Sequence, residues 1–174
     1  MTLNHDTRIE EAMAASGVQD ANLGFTTDET TPSRSFIFSK ERLAEPAPAK
    51  LLKLHGSIDW YWRYAPDQQI VRLSPQELGD SEGIWEVALF LSGTLNKPHQ
   101  YKFLHYPALF EEFEKQLEQT RRIVVSGYGF GDGGVNERFE RWLEAQPEHR
   151  MLIVDPNPAG LREKLTAMGL FRRW

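Results

Sequence analysis

The C-terminal stretch from residue 107 to residue 169 constrains the fold more than any other part of the chain. Leu109, Phe110, Phe113 and Leu117 recur at helical spacing, with acidic residues early and Arg121 and Arg122 late, as the helix dipole favours. The β-branched run IVV at 123–125 reads as a strand and SGYGFGDGG as the turn-rich loop after it. Val135, Phe139, Trp142 and Leu143 then mark a second amphipathic helix. MLIV at 151–154 is the next strand, DPNP its loop and AGLREKLTAMG the last helix. Strand, loop, helix, repeated, is the rhythm of a parallel sheet covered by helices. The expected class is α/β, a Rossmann-like parallel sheet with helices on both faces.

The rest of the chain is less regular. MTLNHDTRIEEAMAASG reads as a loop feeding a helix: Thr7 and Glu10 have the spacing of a capping box, Ile9, Ala12 and Met13 share a face, and Gly17 suits the stop. A polar loop of this kind normally follows a strand, and none precedes Thr2, so the sheet is expected to be incomplete at its N-terminus. Residues 18–50 are rich in Thr, Ser, Asp, Pro and Ala, with SFIF (35–38) as a short strand. LLKL (51–54) predicts a short buried strand ending at His55 and Gly56. IDWYWRY and QIVRL around Pro66-Asp67 predict a hairpin, with Trp60, Tyr61 and Trp62 as core and cross-strand partners rather than a docking patch. IWEVALFL (84–91) is a short apolar stretch, and SGTLNKPHQYKF carries no clear assignment. One domain is expected over residues 1–174, with loop-rich insertions across 18–106 around the His55 segment.

Composition removes several function classes. The net charge is -5, and the 20 basic residues are scattered apart from pairs such as Arg121–Arg122, so a nucleic-acid partner is not expected. The chain has no cysteine, which excludes disulfides, a thiolate zinc site and a cysteine nucleophile. No apolar run approaches the ~20 residues that span a bilayer, so no membrane partner is expected and a cytoplasmic location is the default.

In α/β sheets ligands bind beyond the carboxyl ends of the strands. Four polar stretches follow strands or open helices on that rule: Thr2-Asn4-Asp6, His55-Gly56, Gly127 through Asp132, and Asp155-Asn157. Glycines let a backbone approach a ligand, and the N–H groups of the following helix favour an anion or a dinucleotide phosphate. The same loop also reads as a plain turn capped by Asp132, and Asn4 and Asp6 also read as caps of the first helix. His99, His105 and Lys97 carry no site of their own, since two histidines lack a third metal ligand and a loop lysine is common.

TLNHD resembles the T-x-N-x-D element of sirtuin-like (silent-information-regulator-type) NAD-binding domains. KLHGS resembles their histidine-glycine element, and VVSGYGFGDGGVNE and IVDPNP resemble consecutive segments of the zinc-free bacterial branch. Order and approximate spacing agree over nearly the whole chain. The resemblance implies NAD as substrate and no metal. It gives His55 as general base and Thr2, Asn4 and Asp6 as the element bordering the nicotinamide ribose, with Asn4 and Asp6 also catalytic and Gly56 among the cofactor-binding residues. Gly127, Gly129, Phe130, Asp132 and Asn136 would hold the dinucleotide, with Asp155 and Asn157 near the adenosine end.

The absent cysteines turn the expectation from protein deacylation toward hydrolysis of NAD to nicotinamide and ADP-ribose, an activity associated with antiphage defence in that branch. The strand and glycine-rich loop that open the family's fold would precede Thr2, so association with an N-terminal segment, a partner chain or a second copy is expected. The alternatives are a non-catalytic module that binds NAD or ADP-ribose, and a fragment that acts through protein interaction.

Overall fold

The computed structural model describes residues 1–18, 21–27, 36–65, 68–79, 81–91, 102 and 104–170. They group into two compact units, Met1–Phe113 and Glu114–Trp174. The Pro66-Asp67 turn, Lys97 and His99 lie outside the described residues.

The first unit holds α1 (Arg8–Ala15), β1 (Phe25–Thr27), β2 (Phe36–Phe38), α2 (Lys40–Ala44), β3 (Trp60–Arg63), β4 (Gln69–Arg72), α3 (Pro75–Gly79) and β5 (Ile84–Trp85). Its strands are ordered β1-β2-β4-β3-β5, each antiparallel to its neighbour. β3 and β4 are aromatic and β-branched, as a half-buried pleated surface favours. Their register sets Tyr61 opposite Val71. That pair and Leu73 form a buried cluster against which Ile37, Leu78, Ile84 and Ala88 pack. Side chains alternate along a strand, so Trp60 points the other way. It is fully buried there, with Phe25 at 5.0 Å and His105 at 5.1 Å between ring centroids.

Two sequence expectations need correction in this unit, and the loop-rich stretch 18–106 holds more strand than its pattern shows: β1 to β5 all fall inside it and build an antiparallel sheet. Strands of two to four residues are too short to show a period, so the loop-forming residues between them dominated the pattern. Leu51 to Leu54 are buried, yet the segment makes only single parallel bridges, Asn22 with Lys50 and Thr2 with Lys53, and is not a ladder strand. The capping box at Thr7 does not form. Thr7 donates its hydroxyl to Glu11 Oε1 at 2.9 Å, and the first turn of α1 is capped instead by Asp6, whose Oδ1 accepts from the Arg8 amide at 3.0 Å.

Helix α4 (Tyr106–Glu118) contributes residues to both units, and Leu109, Phe110, Phe113 and Leu117 are buried along it at the expected spacing. The second unit continues with β6 (Arg122–Ser126), α5 (Gly133–Ala145), β7 (Arg150–Val154) and α6 (Pro158–Ala167). β6 and β7 pair in parallel from Arg122 opposite Arg150 to Ser126 opposite Val154. α5 is the crossover between them and buries Val135, Phe139 and Trp142. The chain is therefore a mixed α/β protein. Among the described residues the parallel ladder has two strands, and the larger sheet is antiparallel. No helix among them is long and apolar enough to cross a membrane.

Candidate functional site

The sequence-nominated residues fall into two groups, one in each unit. In the first, the N-terminal peptide lies alongside the His55 segment. The Thr2 amide donates to Leu52 O at 2.8 Å, and the Leu54 amide donates back to Thr2 O at 3.1 Å. Thr2 is buried, and its Oγ1 accepts from the Asn4 amide at 3.0 Å, turning the chain so that Asn4 and Asp6 are exposed.

His55 is only 4 % exposed. It sits in a tight turn closed by the Gly56 amide on Lys53 O at 3.0 Å. Residues 89–91 clamp that turn from the far side: the Leu91 amide donates to His55 O at 2.7 Å, and the Ser57 amide to Leu89 O at 3.1 Å. Gly56 has φ +78°, and a Cβ there would lie 2.2 Å from Leu89 O, so the turn requires glycine twice over. The His5 ring stacks near His55, with centroids 5.9 Å apart and planes 29° apart, and leans on Phe90 at 4.8 Å. Sequence reading passed over His5, although it stands between Asn4 and Asp6; only the structure reveals two imidazoles side by side.

In the second unit the glycine loop is braced from within. Gly127 turns at φ +65°, and Phe130 is a non-glycine residue at φ +53° with its ring fully buried. A bulky residue in the left-handed region persists only where its surroundings hold it. Those surroundings are visible. Asn136, on the first turn of α5, donates Nδ2 to Phe130 O at 3.0 Å, while Tyr128 donates its hydroxyl to Asn136 Oδ1 at 2.8 Å. Asp132 is the N-cap of α5 and accepts from the Val135 amide at 3.1 Å. Lys164 donates to Gly129 O at 2.7 Å. Burial, and then the Asp132 carboxylate, push the Tyr128 hydroxyl above its ordinary value, so it stays a donor.

Asp155 and Asn157 close the loop after β7. Asp155 Oδ1 accepts from the Asn157 amide at 2.7 Å, and Asn157 caps α6 by accepting from the Gly160 amide at 3.1 Å. The capping reading of Asp6 and Asp132 is thus realised, and Asn157 caps its own helix in the same way.

A separate groove of about 310 Å³ in the second unit is lined by Leu117, Arg138, Trp142 and His149 among others, and contains none of the nominated residues. Among the described residues no three metal-ligating side chains cluster. Sequence reasoning missed Tyr128, Lys164, Lys53 and Ser57. The one available signal was a lysine inside the apolar run LLKL.

A family model described as SIR2-like domain matches residues 1–171. No curated protein matches the chain.

Proposed function

The chain belongs to the SIR2-like domain family, whose members use NAD as a substrate, and from that premise we propose that it binds NAD and hydrolyses it to nicotinamide and ADP-ribose. The observation that carries the reading is the pairing of the Thr2 segment with residues 52–54, because it lays Asn4 and Asp6 beside the turn that holds His55. Breaking the bond between ribose C1′ and the nicotinamide nitrogen leaves the electron pair on nicotinamide and positive charge on the sugar, as in glycoside hydrolysis. A histidine that takes the proton from the attacking water or a ribose hydroxyl stabilises that charge. His55 is assigned this role. Asn4, exposed on the adjoining loop, is assigned to orient the water or the ribose through its carboxamide, with the Asp6 carboxylate facing the developing cation.

The glycine loop, Gly127 to Asp132 with Asn136, is assigned to the dinucleotide, and Asp155 and Asn157 to the adenosine end. Thr2 and Gly56 are assigned to the border of the nicotinamide ribose. The proposal also takes the chain as one Rossmann-like domain of the zinc-free bacterial branch, without a metal, acting in the cytoplasm in antiphage defence, and associating with itself or with a partner chain.

The test is nicotinamide release from NAD by the purified protein and by His55→Ala. A general base contributes about 10²- to 10⁴-fold, so the variant should fall by that order. Equal rates would remove His55 from the mechanism. The depth of His55, 4 % exposed, favours one second reading, a module that binds NAD or ADP-ribose without turnover. Calorimetric binding of NAD with no nicotinamide released would select it.

A further inference from the structure

Lys53 is the charged residue inside the apolar run Leu51 to Leu54, and the mechanism above gives it no part. Its side chain is fully buried. Burying an ammonium is unfavourable unless each of its donors is paired. Here all three are. Lys53 Nζ reaches Asp6 O at 2.7 Å, Glu10 Oε1 at 2.8 Å and Ser57 Oγ at 2.5 Å. Ser57, itself fully buried, passes its own hydroxyl hydrogen to His5 O at 3.1 Å, and the Ile58 amide donates to the same oxygen at 3.0 Å.

The position of these acceptors is informative. Asp6 O and His5 O belong to the loop that carries Asn4, while Ser57 lies two residues after His55. The loop is held at one end by the backbone pairing of Thr2 with Leu52 and Leu54, and at the other by the Lys53 and Ser57 contacts to His5 and Asp6. Asn4 stands between the two anchors. Nothing in the core requires a charge at position 53, where the neighbouring positions are leucine; the ammonium is needed because only a group with three divergent donors joins two loop carbonyls' neighbourhood, a helix carboxylate and a serine at one point.

We propose that Lys53, acting with Ser57, is a positioning residue that sets the Asn4–Asp6 loop against His55 for NAD cleavage. The inference rests on the assignment of Asn4 and His55 made above. Glu10, on α1, balances the charge and ties the first helix to the same point, so the loop and the start of the helix that follows it are held together to the histidine turn.

The experiment compares Lys53→Met and Ser57→Ala with the parent protein by steady-state nicotinamide release and by amide hydrogen exchange. Misplacing a reacting group by about 1 Å can cost on the order of 10²-fold, so Lys53→Met should lower kcat by roughly 10- to 100-fold while KM for NAD stays within about 3-fold. Exchange should accelerate at residues 4–6 in both variants, with the β3 and β4 amides still protected. Ser57→Ala, which removes a single oxygen, gives the reading if Lys53→Met does not fold. Unchanged exchange at residues 4–6, or unchanged kcat in a parent that cleaves NAD, would overturn the inference. A general loss of protection that includes β3 and β4 would also overturn it, by making Lys53 a residue of overall stability. A parent that releases no nicotinamide would overturn the hydrolase reading instead, and the exchange comparison alone then decides whether the tether exists.

Discussion

Tyr128, inside the glycine loop, and Asn136, eight residues on in the first turn of α5, are joined by a 2.8 Å hydrogen bond from the phenol to the side-chain carbonyl. Asn136 also donates to Phe130 O, so one buried carboxamide fixes two points of the loop. Leaving the Phe130 carbonyl and the Tyr128 hydroxyl without this partner should cost about 1–3 kcal/mol in Asn136→Ala. Tyr128→Phe removes the hydroxyl but strands less, and should cost about 0.5–1.5 kcal/mol. Urea unfolding measures both; an Asn136→Ala protein with the parent midpoint and slope would remove the brace.

Gly56 and Gly127 both have positive φ, but only one is sterically closed. A Cβ at Gly56 would collide with Leu89 O, whereas one at Gly127 would meet nothing within 4 Å. Gly127→Ala should therefore carry only the conformational penalty of the left-handed region, roughly 1–2 kcal/mol. Gly56→Ala must also push residues 89–91 away, a further ~1–3 kcal/mol of the kind met in overpacked cores, and should disturb the His55 turn. Thermal unfolding of the two variants side by side tests the ordering, and Gly127→Ala proving the more damaging would contradict it.

His105 gives the stability a pH dependence. It is buried among Phe38, Trp60 and Tyr106, and neither ring nitrogen has a hydrogen-bond partner among the described residues. Burial lowers its pKa from 6.5 to about 3. The folded protein thus holds it neutral where the unfolded chain takes up a proton. Above pH 6.5 the ring is neutral in both states and adds no pH dependence, and stability is lost as the pH falls from 6.5 toward 3, at about 1.4 kcal/mol per unit. His105→Phe leaves no polar atom stranded and should flatten that part of the curve. The measurement is the difference in unfolding free energy between the two proteins from pH 7 to pH 4; parallel curves would show that His105 is protonated in the fold.

Asp132 has two separable properties, an acceptor for the α5 cap and a negative charge at the glycine loop. Asp132→Ala should cost about 0.5–2 kcal/mol, as lost N-caps do, while Asp132→Asn keeps an acceptor and should cost less. If the loop meets NAD, the two variants should also differ in NAD affinity by calorimetry, because the asparagine changes the charge and preserves the helix start. Equal affinities in parent and both variants would place the dinucleotide elsewhere.

The legible part of the chain was the part with long periods. α4 and α5 each present an apolar face and β6 a β-branched run, and these elements together with β7 and α6 lie where sequence pattern puts them. The motif residues were equally visible, because they are short polar stretches at element ends. What stayed hidden was tertiary. β1 and β5 have three and two residues and acquire their identity from neighbours far along the chain. The Thr7 box failed because Lys53 captures Glu10, a partner that local spacing cannot show. A true reciprocal cap lay unread at Ser74 and Glu77: the Ser74 amide donates to Glu77 Oε2 at 2.7 Å, and the Glu77 amide to Ser74 Oγ at 3.3 Å. The Ser74 amide, and then the Ser74 hydroxyl, hold the Glu77 carboxyl below its usual range.

The left-handed Phe130, with its ring sealed in the core, changes what flexibility means for a loop of this composition. Five glycines in nine residues suggest a segment that takes its shape from whatever it binds. Here the aromatic ring acts as a keel below the backbone, and the loop's curvature is settled when the protein folds, before any nucleotide arrives. Under the proposed assignment of this loop to the dinucleotide, little ordering is left for association, and the entropic penalty of docking falls mainly on the ligand.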